Sequence, residues 1–333
     1  MRGGGFMSDQ QDRRHFMACI GAGAALWASG ARAQEWPAKP VKIIVPYAAG
    51  GVTDMLTRLV ATQLGVALKQ PFLVENLPGA SGIIGSDRVA KASPDGHTLL
   101  ASGMASLVIT PSAGSTPFDP MRSFSHIALL GGPPLALVVH PSMTAKDVKD
   151  FIAQANAKSG GLSYGSPGAG THNHLMGELF RTRTGANMVH VAYKGGGPAA
   201  ADLLAGHIPA AFLTFSTVVE QVKAGKLRLI AVTSGQRLPG FTDIPTFAEL
   251  GYGYLSTHNW CGLSAPAGLA PAVALRLNAE VQKAMRTSEV RKVMQQEFVE
   301  PNSLDPAGFT DYFKEEIGRW APVIKAANLK LGT

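Results

Sequence analysis

A short strand-forming run, followed at once by a glycine-rich turn and an amphipathic helix, recurs through this chain. That unit constrains the fold more than any other feature. Its first copy is Ile43-Ile-Val-Pro-Tyr-Ala-Ala-Gly-Gly-Val-Thr-Asp-Met-Leu-Thr-Arg58. Residues 41–45 read as a buried strand, which Pro46 stops because proline cannot donate to a sheet ladder. Gly50 and Gly51 free the backbone for φ values that other residues avoid. Thr53 or Asp54 can cap the following helix, where Met55, Leu59 and Leu64 fall at roughly helical spacing. Such a turn leaves N–H groups unpaired at a helix N-terminus beside the carboxyl end of a strand, a place that suits an anion. A single copy is equally a plain strand–loop–helix connection, so the rest of the chain has to decide.

The unit returns. A strand at 72–75 runs into Asn76-Leu-Pro-Gly-Ala-Ser-Gly82 and a helix over 83–91. Ser93-Pro-Asp-Gly96 is a turn, and a strand at 98–101 ends in Ser102-Gly103. Residues 127–140 read as one extended segment kinked at Gly131-Gly-Pro-Pro134, a crossover into a second lobe. Thr144 is placed to cap a helix over 145–158. Two further copies follow: strand 162–165, loop Ser166-Pro-Gly-Ala-Gly-Thr171, helix 172–184; then strand 188–192, loop Tyr193-Lys-Gly-Gly-Gly197, helix 198–205. A strand at 208–213 ends at Thr214-Phe-Ser-Thr217, ahead of another helix. Residues 227–233 give one more strand, 260–265 a return strand, and helices over 272–296 and 309–328 close the chain, the last entered by Asp305-Pro-Ala. Alternating strands and helices predict a parallel α/β sheet whose ligands sit at the carboxyl ends of the strands. The economical division is a first lobe from 34–134, a second from 135–255, and a return to the first over 256–333.

The chain has 333 residues, 46% hydrophobic and 16% charged, a folded protein of about two domains rather than a disordered one. Its net charge of +7 drops to +5 once the four arginines and two aspartates of residues 1–33 are set aside. The remainder is spread out, with no basic run of the kind that nucleic acid or membrane patches show, so no nucleic-acid partner is expected. Residues 1–33 themselves read as an export signal: Arg13-Arg14, a weakly apolar run over 18–28, and Ala31-Arg32-Ala33 as a small-x-small cleavage site. Paired arginines resemble a twin-arginine signal, with a general secretory signal as the alternative. Of the two cysteines, Cys19 lies in this segment. Cys261 is then alone in Trp-Cys-Gly-Leu and reads as a small buried hydrophobe.

Glycine-rich loops on two lobes converge on a cleft lined by backbone N–H groups and small hydroxyls, which bind a carboxylate or phosphate without a dedicated arginine. Lys194 is the candidate counter-charge there, or else a solvated loop lysine. Asp54 reads as a helix organiser paired with Arg58 at i+4, since it would repel an anion. Tyr47 and Phe215 either wall an apolar part of the ligand or pack. Enzyme signals are sparse: no metalloprotease helix motif, no phosphate-binding loop and no nucleophile elbow. In His172-Asn-His174 with Glu178, only His174 and Glu178 share a helical face, so no metal is expected. Ser166 near His172 imitates a nucleophile with its base but lacks a third group. Neither catalysis nor a cofactor is indicated.

Five stretches together resemble the Bug/TctC family of extracytoplasmic substrate-binding receptors, which serve tripartite tricarboxylate transporters. They are Pro46-Tyr-Ala-Ala-Gly-Gly-Val-Thr-Asp54 with Arg58; Glu75-Asn-Leu-Pro-Gly-Ala-Ser-Gly-Ile-Ile-Gly85; Ala92-Ser-Pro-Asp-Gly-His-Thr-Leu99, with His97 where tyrosine is usual; Tyr164-Gly-Ser-Pro-Gly-Ala-Gly-Thr-His-Asn-His-Leu175; and Val191-Ala-Tyr-Lys-Gly-Gly-Gly-Pro-Ala199 with Asp202. The resemblance spans about 36–330. It implies a type II periplasmic-binding-protein fold, two α/β lobes with two crossovers and an interlobe cleft, in a monomeric periplasmic protein. It implies a small carboxylated ligand and membrane transporter subunits as partner, or a sensor protein in an orphan or signalling receptor of the same fold. Carried over by position, the ligand contacts are Tyr47, Ala48, Gly50, Gly51, Ala80 and Ser81 from the first lobe. Those from the second are Ser166, Gly170, Thr171, Tyr193, Lys194 and Ser216. Where the family often has aspartate after Phe215, this chain has Ser216, which predicts an organic acid without a charged amine.

Overall fold

The computed structural model describes residues 36–300 and 302–327. The export-signal reading of residues 1–33 lies outside them. The described residues from Lys39 onward form one compact unit built on two five-stranded sheets.

The first sheet runs in the order β2-β1-β3-β10-β4, with β1 Val41–Val45, β2 Phe72–Asn76, β3 Thr98–Gly103, β4 Phe124–Gly131 and β10 Cys261–Pro266. The strands β1, β2 and β3 are parallel; β10 is antiparallel to both β3 and β4. The second sheet has the order β7-β6-β8-β5-β9, with β5 Leu135–Val139, β6 Leu162–Ser166, β7 Met188–Ala192, β8 Ala210–Thr214 and β9 Arg228–Val232. Here too the strand that enters from the other lobe, β5, is antiparallel to its neighbours. All five residues of β5 are wholly buried, as expected of a central strand covered on both faces.

The longer helices are α1 Val52–Leu68, α2 Ile83–Ala90, α3 Val148–Ala157, α4 His172–Thr184, α5 Gly196–Leu204, α6 Phe215–Lys223, α7 Pro271–Ala284, α8 Ser288–Gln296 and α9 Pro306–Ala326. Asp305 caps α9, accepting the Gly308 N–H at 2.7 Å. Three local expectations are corrected. Asp147, not Thr144, caps α3, because its carboxylate takes the Asp150 N–H. The single helix read over 272–296 breaks between Ala284 and Ser288 into α7 and α8. At the start of α1 neither Thr53 nor Asp54 is the N-cap: Gly51 is, and Asp54 reaches back to the Gly50 N–H.

Two crossovers join the sheets and are stitched to each other. Thr233, after β9, accepts the Leu135 N–H with its hydroxyl oxygen at 2.8 Å and donates that hydroxyl to the Thr257 carbonyl at 2.6 Å. The Asn259 N–H donates to Pro133 O at 3.1 Å. Gly132 is needed where the strands meet: a Cβ there would lie 2.1 Å from the Asn259 carbonyl oxygen.

Candidate functional site

A cavity of about 340 Å³ opens where the loops after β1, β3 and β8 meet both crossovers. The first loop and the opening turn of α1 give it Tyr47, Ala48 and residues 51–54. Residues 103–105 follow from β3, Pro133 and residues 259–260 from the crossovers, and Thr214, Ser216 and Thr217 from the start of α6. No lysine, arginine or histidine is among the described residues that line it.

Positive potential comes from the backbone instead. The helices α1 and α6, one from each lobe, begin in the wall, and neither has a side-chain cap. The first N–H groups of a helix have no intrahelical acceptor and carry the positive end of its dipole. In α6 the Phe215 N–H is taken by the Pro134 carbonyl at 3.0 Å, which leaves Ser216 and Thr217 to face the cavity.

Asp54 is the one charged residue in the wall, and it is fully engaged. Arg58 Nε donates to both its oxygens, at 3.0 and 3.1 Å; Asn76 Nδ2 donates to Oδ1 at 2.9 Å, and the Gly50 N–H to Oδ2 at 3.0 Å. Burial opposes its ionisation, but these donors prevail and hold the carboxyl below its ordinary range. Asn76 also donates to Tyr47 O at 3.1 Å, so Asp54 organises the loop. The Tyr47 hydroxyl accepts the Ser106 N–H at 3.1 Å, which fixes the ring as one wall.

Of the carried-over positions, the wall brings together Tyr47, Ala48, Gly51 and Ser216. Gly50 sits beside it with its N–H on Asp54. Ala80 and Ser81 stand outside it, exposed, in a left-handed turn whose four φ angles from Gly79 to Gly82 are 134°, 45°, 54° and 94°. Two non-glycine residues held at positive φ store strain of the kind that clusters at ligand clamps. The turn packs behind Tyr47, since a Cβ on Gly82 would lie 3.4 Å from that ring.

The second-lobe loops also stand outside the wall, tied together by Tyr193 N–H to Ser166 O (3.1 Å) and Gly195 N–H to Pro167 O (2.8 Å). Ser166 is fully buried, and its hydroxyl is taken: 2.7 Å from His190 Nε2, 3.1 Å from Gly168 O, and accepting the Gly168 N–H. Gly170 donates its N–H to His174 Nδ1 at 3.1 Å, and Thr171 caps α4. The Tyr193 hydroxyl donates to Asp202 at 2.8 Å, and Lys194 is exposed. Phe215, read as a ligand wall or packing, is packing: it is wholly buried between Phe241 and Phe298.

The model of the tripartite tricarboxylate transporter family receptor, TctC, matches residues 56–329. The chain belongs to the TctC receptor family. BugT of Bordetella pertussis is 35% identical over 301 residues, 90% of this chain and 92% of BugT. A Rhodopseudomonas palustris protein solved with adipate is 31% identical with a TM-score of 0.73, covering 88% of this chain and 98% of the other. MatC of the same organism, solved with bound malate, is 28% identical with a TM-score of 0.70, covering 87% and 100%. The two lobes are those of the periplasmic binding proteins, as the resemblance implies.

The TctC family is one of solute-binding receptors. Ser166 and His190 do form a close serine–histidine pair, with His190 where the sequence suggested His172; the serine is wholly buried and the histidine half-buried. Burial pushes the Cys261 thiol up to about 12. Sequence reasoning missed Val52, Thr53, residues 103–105, Pro133, Thr214, Thr217, Asn259 and Trp260. Trp260 is anchored from behind: its indole N–H donates to Glu316 Oε2 at 3.2 Å, as does that of Trp320, and Arg319 lies 3.3 Å from the other oxygen.

Proposed function

We propose that this chain is an exported, periplasmic receptor that captures a small organic acid lacking an amino group for a tripartite tricarboxylate-type transporter. The observation that carries the reading is a cleft whose positive potential comes from two uncapped helix N-termini in opposite lobes, with no cationic side chain in the wall. A dicarboxylate or aromatic acid suits it: one carboxylate on the first turn of α1, the distal end against Ser216 and Thr217. Relatives solved with malate and adipate support that size class. An amino acid is disfavoured, since Ser216 offers no charge to an ammonium group and the Asp54 oxygens are already taken. The carried-over residues outside the wall, Ala80, Ser81, Gly170, Thr171, Tyr193 and Lys194, reach the ligand on lobe closure, a hinge motion about the stitched crossovers. Ser166 shapes its loop.

A thermal-shift screen followed by calorimetry tests this. A true ligand at about 100 times its Kd adds roughly 2.7 kcal/mol of stability. The reading fails if no mono-, di- or aromatic carboxylate raises the melting temperature. Tighter binding of aspartate or glutamate than of any non-amino acid would also overturn its ligand class.

A further inference from the structure

The carboxylate cleft leaves a larger concavity unused, a groove of about 700 Å³. One wall is the segment 236–239 after β9, and the other is formed by α7, α8 and residues 298–300. Its floor is apolar, with Leu238, Met285, Met294 and Val299 all buried. Three arginines stand along it. Arg237 is committed, its Nε 2.9 Å from a Glu249 oxygen and its NH1 on Thr242 O. Arg286 and Arg291 are exposed, and among the described residues neither guanidinium has an ion pair or hydrogen bond. The one carboxylate, Glu300, does not neutralise them. It accepts the N–H groups of Gly235 and Gln236 at 3.1 and 3.4 Å and lies 3.6 Å from His258 Nε2.

An apolar floor between uncommitted guanidinium groups recognises one chemistry. Hydrocarbon is removed from water along the floor, while the planar fork of an arginine meets a carboxylate or sulfonate with two parallel N–H donors. The volume falls in the range of small-molecule sites. Phe298 lines the groove at φ +55°, a conformation costly for a bulky residue. Its ring packs 4.6 Å from Phe215 and 6.2 Å from Phe241.

We infer that this groove is a second ligand site, for a monoanionic organic acid with an apolar body, held by Arg286 and Arg291 and separate from the cleft. The probe is 8-anilinonaphthalene-1-sulfonate, an aromatic monoanion that brightens on leaving water, with octanoate as competitor. The expected result is saturable binding to the purified protein, displaced by octanoate and weakened at least tenfold in R286E/R291E. Ser216→Trp, which fills the cleft, should leave it unchanged. Hydrogen exchange with octanoate gives a readout that needs no variant: protection should appear at 236–239 and 285–300. Undiminished binding in R286E/R291E, loss in Ser216→Trp, or protection at 47–54 and 214–217 instead would each overturn the site.

Discussion

Trp260 and Trp320 donate their indole N–H groups to the same carboxylate oxygen of Glu316, 3.2 Å from each. Glu316 is 1% exposed, and burial raises its pKa against the pull of Arg319 and the two indoles. Replacing it with leucine strands two buried indole donors, while Arg319 keeps the Ser256 carbonyl, at a cost of about 2–4 kcal/mol. Glutamine keeps an acceptor and should cost about 1–2 kcal/mol. Urea unfolding of the two variants checks the order; equal losses would mean that the indoles do not depend on this carboxylate.

A carboxylate at position 216 should exchange one ligand class for another. Ser216→Asp places a negative charge in the cleft wall, where it repels a bound dicarboxylate and offers a partner to an ammonium group. Affinity for the non-amino acid that the screen identifies is expected to fall at least tenfold, about 1.4 kcal/mol, with aspartate or glutamate gaining. Calorimetric titration of wild type and variant against both classes decides it.

Acid should destabilise the receptor well above the carboxylate range. Burial depresses His126 to about 4 and His172 to about 3, and burial with neighbouring His174 depresses His190 to about 4. His174, stacked on His190 at 3.8 Å, is lowered too. Unfolded imidazoles take up protons near pH 6.5, whereas these stay neutral in the fold. The unfolded state therefore binds more protons, and stability falls as pH drops from about 6.5 towards 4. Protonation of His174 would also remove the acceptor for the Gly170 N–H and loosen its loop. Melting curves from pH 7.5 to 4 should shift steadily downward; a flat profile contradicts the account.

Gly132→Ala should separate the crossovers. Its Cβ would meet the carbonyl oxygen and carbon of Asn259 at 2.1 and 2.4 Å, contacts with backbone that cannot rotate away. A loss of roughly 3 kcal/mol is expected in urea unfolding. Ligand affinity should fall with it, because Pro133, Asn259 and Trp260 line the cleft.

The strand–turn–helix units were legible because each is local: β-branched residues, a glycine turn and an apolar stripe announce β1 with α1 and β7 with α5 without help from elsewhere. Boundaries slipped where two signals competed. Thr144 and Asp147 both suit a cap, and only the backbone path chooses Asp147; 285–287 carry no breaker as strong as proline, so α7 and α8 read as one helix. The cleft was half legible. Tyr47, Ala48, Gly51 and Ser216 belong to the repeated unit, whereas Asn259 and Trp260 reach the wall only because β10 inserts between β3 and β4, a long-range pairing that no local pattern encodes. Ser166 looked like a ligand contact, but its hydroxyl is claimed by His190, 24 residues away.

A cleft without a cationic side chain behaves differently in brine than one built on arginine. Point charges at a surface lose their reach as the Debye length shrinks from about 8 Å at physiological ionic strength to about 3 Å at 1 M. On the proposed reading, the first-turn N–H groups of α1 and α6 would act instead through direct hydrogen bonds over a few ångströms, about the reach of the shorter of those lengths. Such a receptor gives up the long-range capture of anions and keeps a nearly constant grip while the salinity around it changes.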